Sequence, residues 1–228
     1  MRVIVLLIML FGVCESSAGR VRAVRPWLPR PQRILVIVTH PDDELLLAPY
    51  LASQCVRGGA TCSLLVLTRG EGGGDPDVRT SEMARSAALL NSRLTQWSLP
   101  DGMTSWNDRE TLVRQLSDVI ALENPDMILT FDPEHGTTGH PAHRETGAMV
   151  IETGARNVYL LETLAQFASA GIVLSSARED VWAYDPGTDW EYAVRLAEIH
   201  ASQFSAEQVE SLRMLPSAEQ RVWLLRAK

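Results

Sequence analysis

The sequence predicts a single α/β domain in which a mainly parallel sheet carries helices on both faces. Three observations predict this fold class. Apolar runs of strand length alternate with stretches of helical periodicity along most of the chain, which is the pattern of βαβ units. Residues 34–39 (ILVIVT) form an apolar run of the kind buried on both faces of a parallel sheet. The length of 228 residues, 46% of them hydrophobic, suits one domain.

The individual elements follow from local patterns. Predicted strands are short runs rich in β-branched and large apolar residues, at residues 34–39, 63–68, 95–99, 126–131, 157–162 and 171–179. Predicted helices have apolar residues three or four positions apart, at residues 43–56, 79–91, 107–123 and 141–153 and in a helical region from about 188 onward. Gly58-Gly59 end the first helix and Asn124-Pro125 end the third.

The first twenty residues have the pattern of a secretory signal segment. Arg2 precedes an apolar run at residues 3–13, and residues 16–18 (SSA) are small, as cleavage requires. Such a run is too short to span a bilayer comfortably; a short uncleaved anchor is the alternative. Cys14 is a poor lipidation site, because residues 11–13 (FGV) do not match the small residues expected before such a cysteine.

This segment divides the chain and sets the expected compartment. We predict a signal peptide at residues 1–18, an N-terminal extension at 19–33 and one domain at 34–228, with export to the periplasm or the extracellular space. Export would place Cys55 and Cys62 in an oxidising compartment, where a disulfide persists. A bridge across so short a loop is geometrically demanding, and two buried free thiols are the alternative.

The net charge of the chain argues against two classes of binding partner. Its formal net charge is −7, whereas nucleic acids and anionic membranes both require basic patches. We therefore expect neither of them as the main partner, and no stable membrane insertion once the signal segment is removed. The sequence leaves the oligomeric state open.

Three polar loops are predicted to meet at one edge of the sheet. THPDDE (39–44) follows the first strand, TRGEGGG (68–74) the second and FDPEHGTTGHPAH (131–143) the fourth. Functional loops of α/β sheets lie at the carboxyl ends of the strands. These stretches are therefore expected to form one site.

The loops contain a set of residues typical of a metal site. His40 and Asp43 form an H-x-x-D pair, and His140 and His143 form an H-x-x-H pair at the start of a predicted helix. Imidazole with carboxylate is a typical ligand set for Zn²⁺ or Fe²⁺, and three protein ligands leave a position for water. Asp42 cannot easily point the same way as Asp43, so one acid can bind metal while the other faces that water. Solvated histidines without a metal are the alternative.

These motifs closely resemble those of the PIG-L/LmbE-like de-N-acetylases, which act on N-acetylglucosaminyl-phosphatidylinositol and on precursors of mycothiol and bacillithiol. HPDDE and the later GHPAH occur in the family's order. The resemblance extends to an arginine-bearing helix, a recurrent turn and a C-terminal H-x-S-Q element, at VRTSEMARSAALL (78–90), LPDG (99–102) and HASQF (200–204). It covers most of the chain after the signal segment and implies a Rossmann-like, LmbE-like fold.

Position by position, the resemblance implies a role for each residue of the site. The metal, usually zinc, would be held by His40, Asp43 and His143. Asp42 stands at the family's general base, and His140 at a histidine that stabilises the oxyanion or protonates the leaving amine. Arg79 matches an arginine that holds the substrate.

Two positions depart from the family pattern. Ala142 replaces a frequent aspartate between the two histidines, which changes the hydrogen bonding expected around His143. Asn91 replaces a frequent glycine at the end of the Arg79 helix. Neither change removes a proposed ligand.

The implied activity is zinc-dependent removal of an acetyl group from an N-acetylated amino sugar or glycoconjugate, with Fe²⁺ as the other candidate metal. Asp42 would take a proton from the attacking water, and His140 would donate to the oxyanion while protonated, which predicts a bell-shaped pH–rate profile. The alternatives are a hydrolase of a different amide, an Fe(II) oxygenase whose triad is His40, Asp42 and His143, and a non-catalytic sugar- or metal-binding protein.

Other polar residues nearby have supporting roles in this interpretation. Glu44 begins a helix, whose dipole favours a carboxylate, and also supports the site. His135 is expected in solvent, and His200 in a structural role rather than at the site edge. The glycine-rich loop lacks the spacing of a P-loop and is expected to roof the substrate. No tryptophan is assigned as a sugar ligand.

Overall fold

The computed structural model describes residues 30–101, 106–168, 171–176, 181–217 and 219–227. The predicted signal peptide and most of the N-terminal extension lie outside these ranges and stay predictions. Within them, no helix is both long enough and apolar enough to cross a membrane.

Seven strands of the described chain form one sheet, and two more form a separate hairpin. The strands are β1 Arg33–Val38, β2 Thr61–Thr68, β3 Ser92–Leu99, β4 Met127–Phe131, β5 Val158–Leu161, β6 Thr163–Ala168, β7 Gly171–Ser176, β8 Trp182–Tyr184 and β9 Val222–Arg226. The order in the main sheet is β3-β2-β1-β4-β5-β9-β8. The first five of these are parallel to their neighbours, and β9 is antiparallel to β5 and β8.

Helices cover both faces of this sheet, as predicted. They are α1 Ala48–Leu51, α2 Pro76–Leu89, α3 Arg109–Glu123, α4 Gly136–Gly139, α5 Pro141–Glu152, α6 Trp190–Ile199 and α7 Ala206–Met214. Alternate residues of β1 enter two different cores, because successive side chains of a strand point to opposite faces. Val36 packs with residues of α1, α2, α6 and α7, and Ile37 with residues of α3 and α5. The α/β fold class is confirmed.

The prediction of one regular helix at 43–56 is wrong, because three kinds of helical turn follow one another there. The chain there forms a 3₁₀ segment at Asp43–Leu47, the single α-turn α1 and a π-helical segment at Ala52–Arg57. Pro49 lies inside the stretch and has no backbone N–H to donate to the preceding turn. The 3₁₀ segment ends just before this proline, at Leu47, and the π-helical segment begins after it, at Ala52.

The C-terminal third also differs from its prediction. The strand expected at 171–179 is β7, which pairs with the unpredicted β6 instead of joining the main sheet. The region after 188 contains α6 and α7 but also the strand β9, so its description as helical throughout is wrong. Its five residues (VWLLR) are nearly all apolar, and periodicity cannot separate so short a buried strand from a helix.

Cys55 and Cys62 form a disulfide, with their Cα atoms 5.9 Å apart. Both side chains are buried. The bridge joins the π-helical segment to the start of β2, and it decides between the two states that the sequence left open.

Candidate active site

The three predicted loops meet in a cavity of about 430 Å³ at the carboxyl edge of the sheet. This volume lies within the range of about 300–1,000 Å³ typical of small-molecule sites. It is lined by all three loops, the 3₁₀ segment, α2, the turn after β3, the α6–α7 connection and α7, through His40, Asp42, Asp43, Leu45, Leu46, Gly72, Gly73, Arg79, Asp101, Phe131, Thr137, Thr138, His140, His143, Gln203, Phe204 and Gln208. The prediction that these three loops meet at one edge of the sheet is therefore confirmed.

Asp43 is held by the end of β1. One of its carboxylate oxygens accepts the backbone N–H groups of Thr39 at 3.1 Å and His40 at 2.6 Å. The other oxygen lies 3.1 Å from Nε2 of His143. Burial raises the pKa of Asp43, but the nearby His143 and His40 outweigh it and hold that pKa below its usual range. The acid is thus fixed as a carboxylate beside two imidazoles.

In the neutral rings of His40 and His143, the two nitrogens that face each other carry no proton. The distance from Nδ1 of His40 to Nε2 of His143 is 2.9 Å. Nδ1 of His143 lies 2.9 Å from the carbonyl oxygen of Gly136, which can only accept, so in the neutral ring the proton is on Nδ1. Nε2 of His40 lies 3.0 Å from a carboxylate oxygen of Asp101, which assigns its proton in the same way. Two lone pairs therefore converge beside the Asp43 carboxylate.

This donor set fits a divalent metal ion. Nδ1 of His40 lies 2.9 Å from Nε2 of His143 and 3.6 Å from Oδ2 of Asp43, and Oδ1 of Asp43 lies 3.1 Å from Nε2 of His143. Metal–ligand bonds of about 2.1 Å in a tetrahedron place ligands about 3.4 Å apart. The outer nitrogens bind a carboxylate and a backbone carbonyl, as in many metal-bound histidines. Burial lowers the pKa of His40, but the hydrogen bonds and charges of Asp101 and Asp43 raise it to about 10, so the site favours a positive charge.

Asp42 stands beside this set without belonging to it. Its carboxylate accepts a hydrogen bond from Arg79 at 3.0 Å, and its side chain is 19% exposed at the cavity. Burial and the charge of Asp43 raise its pKa to about 7, against the opposing effect of Arg79. The triad of the oxygenase alternative, with Asp42 as ligand, is therefore not the set of donors that converges here.

The backbone of Asp42 is strained. Its φ is 126° and its ψ is −18°, a conformation that residues with a side chain rarely adopt. Such strain persists only where surrounding contacts enforce it, and it concentrates at functional sites. Here the turn separates the directions of the two neighbouring acids, as the sequence suggested.

A fully buried pair supports the turn from behind. Glu44 accepts the backbone N–H of Asp42 at 3.2 Å and lies 2.7 Å from Nε2 of His200, and it also accepts a hydrogen bond from Ser86. Burial lowers the pKa of His200, but Glu44 outweighs it and raises that pKa. The predicted supporting role of Glu44 and structural role of His200 are both confirmed.

Arg79 links the two loops that flank the cavity. Its guanidinium donates to the carbonyl oxygens of Gly70 at 2.8 Å and Pro41 at 2.7 Å. A Cβ atom on Gly70, whose φ is +72°, would lie 2.6 Å from this guanidinium, so the loop requires glycine there. Gly72 and Gly73 line the cavity, as expected of a roof. Arg79 thus lies at the cavity, with Asp42 among its partners.

His140 caps α5 and is half-buried. Its Nδ1 accepts the backbone N–H of Ala142 at 3.2 Å, so the neutral ring carries its proton on Nε2. Burial and the charges of His143 and His40 lower its pKa. A neutral His140 can therefore donate a hydrogen bond, and the expectation that it must be protonated to do so is wrong.

The sequence missed Asp101, although it lies in the LPDG turn. Besides facing His40, it accepts the backbone N–H of Gly72 at 2.9 Å. An acid shortly after β3 was the available signal, because the ends of parallel strands share one edge.

His135 is partly exposed and is not among the cavity residues. Ala142 packs in the core, and the Gly136 carbonyl orients His143 instead.

Comparison with known families identifies the fold and the motifs. Residues 35–153, more than half of the chain, match the family described as PIG-L: GlcNAc-PI de-N-acetylase. The chain belongs to the PIG-L family. A probable N-acetylglucosaminyl-phosphatidylinositol de-N-acetylase of Schizosaccharomyces pombe is 26% identical over 223 residues, which cover 92% of this PIG-L chain and 84% of the relative.

Two bacterial members of the PIG-L family match over a shorter part. A probable N-acetyl-alpha-D-glucosaminyl L-malate deacetylase 2 of Bacillus subtilis is 30% identical over 53% of this chain and 59% of its own length. A 1D-myo-inositol 2-acetamido-2-deoxy-alpha-D-glucopyranoside deacetylase of Corynebacterium urealyticum is 29% identical over 50% of this chain and 44% of its own. The chain thus spans about half the length of these two relatives.

Solved structures share the PIG-L fold at low sequence identity. The N,N'-diacetylchitobiose deacetylase of Pyrococcus horikoshii has a TM-score of 0.63 at 20% identity, over 80% of this chain and 74% of its own. A 4-carboxy-2-hydroxymuconate hydratase of Pseudomonas putida has a TM-score of 0.58 at 16% identity, over 80% of this chain and 83% of its own. One fold therefore carries different reactions, and the site has to decide the activity.

Proposed function

We propose that this PIG-L protein is a zinc-dependent N-deacetylase that removes the acetyl group from an N-acetylated amino sugar or glycoconjugate. The observation that carries the proposal is the separation of two adjacent acids. Asp43 joins His40 and His143 in the ligand set, while Asp42 stays at the cavity, bonded to Arg79. Simple binding would not require a second carboxylate held beside the ligands. The family membership supports the same conclusion.

Residues His40, Asp43 and His143 would hold the metal. A bound Zn²⁺ ion supplies a water of lowered pKa and polarises the acetamide carbonyl. Asp42 then serves as the proton acceptor. In the metal-free site, burial and Asp43 raise its pKa to about 7, above that of a free aspartate, which suits a group that accepts a proton and later returns it. Arg79 and the strained backbone fix its direction.

The remaining steps use the same residues. As water attacks the acetamide carbon, its proton passes to Asp42, and Nε2–H of neutral His140 donates a hydrogen bond to the oxygen that becomes negative. When the C–N bond breaks, protonated Asp42 returns the proton to the leaving nitrogen. The products are a free amine and acetic acid, which keeps the second proton of the water and releases it to solvent to become acetate, and Asp42 is again a carboxylate.

Export of the protein is part of the proposal. The N-terminal signal pattern supports it, and so does the disulfide between Cys55 and Cys62, since such bonds persist in oxidising compartments. The expected site of action is the periplasm or the extracellular space.

The test is an activity assay with controlled metal. Purified protein is treated with chelator, restored with Zn²⁺ or Fe²⁺ and incubated with N-acetylglucosaminides and with glucosaminides that carry another N-acyl group, and the released acid and amine are measured. We expect release that chelator abolishes and Zn²⁺ restores. Release only from glucosaminides with another acyl group would indicate a different amide hydrolase. Binding of the sugars without release of acid or amine would contradict the enzymatic proposal.

A further inference from the structure

The imidazole of His143 lies flat against the ring of Phe131, the last residue of β4. Their ring centroids are 4.2 Å apart and their planes differ by 2°. Both side chains are buried, and both line the cavity. The rings of His40 and His140 also lie near His143, with centroids 5.0 Å away, but their planes are tilted by 53° and 36°. Phe131 therefore provides the flat surface against which this imidazole packs.

The polar contacts of His143 hold its two nitrogens but leave the ring some freedom to tilt. Nε2 lies 2.9 Å from Nδ1 of His40 and 3.1 Å from a carboxylate oxygen of Asp43, and Nδ1 lies 2.9 Å from the carbonyl oxygen of Gly136. Hydrogen bonds tolerate a range of angles, whereas a ligand for a metal has to be held within about 10–20° of its productive direction. A surface against the face of the ring supplies this restraint.

The contact between the two rings should strengthen when a metal ion is bound. Two neutral aromatic rings gain little from lying face to face, because their quadrupoles repel. A cation is attracted to the face of an aromatic ring. A divalent ion on Nε2 of His143 makes that imidazole more positive, so the face of Phe131 favours the metal-bound state over the metal-free one.

Gly147 allows the helix that carries His143 to reach this position. It lies four residues after His143, on the same face of α5. A Cβ atom at Gly147 would lie 2.2 Å from the carbonyl oxygen of Phe131 and 3.0 Å from its carbonyl carbon. The backbone of α5 therefore packs directly on the end of β4, and a larger residue would push the helix away from it.

The same helix is fastened to the strand that carries His40. The hydroxyls of Thr39 and Thr146 lie 2.8 Å apart, and the Thr39 hydroxyl donates to the carbonyl oxygen of Ala142 at 3.4 Å. Both threonines are fully buried. Contacts with β1 and β4 thus fix α5 on the sheet, and the stacked ring then fixes the plane of the ligand.

We propose that Phe131 is a positioning residue of the metal centre, whose ring holds the plane of the His143 imidazole so that Nε2 points at the ion, and that Gly147 permits this contact. The inference rests on the proposed metal-dependent function and adds two residues to it. Because both residues act through His143, their substitution should change the affinity for zinc, which can be measured without any substrate.

The main test measures zinc affinity by competition with a chromophoric chelator. Phe131→Leu removes the flat ring, Phe131→Tyr keeps it, and Leu129→Val makes a comparable change in the same strand and core without touching the ring of His143. We expect the affinity of Phe131→Leu to fall about tenfold or more, and that of the other two variants to stay within about twofold of the wild type. Wild-type affinity in Phe131→Leu, or an equal loss in Leu129→Val, would overturn the inference.

Proton NMR of the zinc-free protein tests the stacking itself. The ring current of Phe131 should shift the signals of the His143 ring protons upfield, and their absence in His143→Ala assigns them. We expect the shift to disappear in Phe131→Leu and to persist in Phe131→Tyr. Unchanged His143 signals in folded Phe131→Leu would show that the rings do not stack in solution.

A double-mutant cycle tests the role of Gly147. Alanine is intrinsically better than glycine inside a helix, so a loss of zinc affinity in Gly147→Ala would come from displacement of α5. We expect a loss of about tenfold in Gly147→Ala, and a loss in the double variant with Phe131→Leu that is smaller than the product of the two single losses. Wild-type affinity in Gly147→Ala, or independent losses, would separate Gly147 from the stacked contact.

These measurements distinguish the positioning role from the proposed function. If the wild-type protein binds zinc but releases neither acid nor amine from any glucosaminide, the proposed activity fails, and the affinities still decide the role of Phe131. If it deacetylates and Phe131→Leu binds zinc normally, the positioning role alone fails. Absence of zinc binding in the wild type would overturn both.

Discussion

Two histidine–carboxylate pairs flank the same turn, and they differ in what surrounds them. His143 and Asp43 lie 3.1 Å apart with side chains 6% and 8% exposed, beside the lone pair of His40. His200 and Glu44 lie 2.7 Å apart with both side chains fully buried, and Glu44 accepts the N–H of Asp42. One pair has a free coordination direction toward the cavity, and the other uses its groups to hold the backbone. Environment, not residue type, therefore assigns the roles.

The largest expected effect separates the two histidines. His143→Ala removes a donor from the cavity set, so we expect loss of bound zinc and a fall in activity of about 10³-fold or more. His200→Asn, the matched change behind the turn, should leave zinc stoichiometry near that of the wild type. Metal analysis of both purified variants checks this. Loss of zinc in His200→Asn alone would reverse the assignment.

Asp42→Asn separates chemistry from metal binding. The amide cannot accept the proton of the attacking water, so kcat should fall by about 10²- to 10⁴-fold. Zinc content should not change, because Asp42 bonds Arg79 and not the donor set. Single-turnover assays combined with metal analysis measure both quantities. Full activity in this variant would exclude Asp42 from catalysis.

The buried pair should matter most for stability. Glu44→Ala removes the carboxylate that raises the pKa of His200, so the buried ring loses its proton and its partner, and the backbone N–H of Asp42 loses its acceptor. Each buried group left unpaired costs about 1–3 kcal/mol of unfolding free energy; urea denaturation at neutral pH measures it. The raised pKa of His200 means that the pair stabilises the fold below the ordinary histidine pKa. This contribution is lost as pH rises through the raised value. A Glu44→Ala protein as stable as the wild type would show that the pair is dispensable.

A variant of Asp101 tests whether its contact with His40 supports the proposed metal site. Asp101→Asn weakens the interaction that fixes the tautomer of His40, so we expect zinc affinity to fall about 10- to 100-fold. Competition with a chromophoric chelator measures this without relying on activity. Unchanged affinity would mean that the 3.0 Å contact does not orient His40.

We expect the smallest effect from substitution of Arg79, as a shift in the pH dependence of kcat/KM. The proposed mechanism needs ionised Asp42, so we expect kcat/KM to fall as pH drops through the pKa of Asp42, which is about 7 without metal and lower with a cation bound. Arg79→Gln removes a charge that lowers this pKa, so the acid limb should move up by roughly one pH unit. An increase in KM with no shift of the limb would indicate that Arg79 holds substrate instead.

The sequence was sufficient for the site where the chemistry is local. HPDDE and GHPAH are short motifs at the ends of predicted strands, and the topology brings them together. The contact of Asp101 with His40 was not predicted, because the two residues lie 61 positions apart in the sequence. The Glu44–His200 pair spans 156 positions, so its contact follows only from the packing of α6 beneath the turn. The strand β9 was not predicted, because a five-residue apolar run fits a helix equally well.

The position of β9 also bears on how this protein can be handled. Residues 222–226 lie between β5 and β8 in the sheet, so synthesis must reach them before that layer can close. A truncation that removes these residues would delete a central strand and leave β5 and β8 each with an unpaired edge.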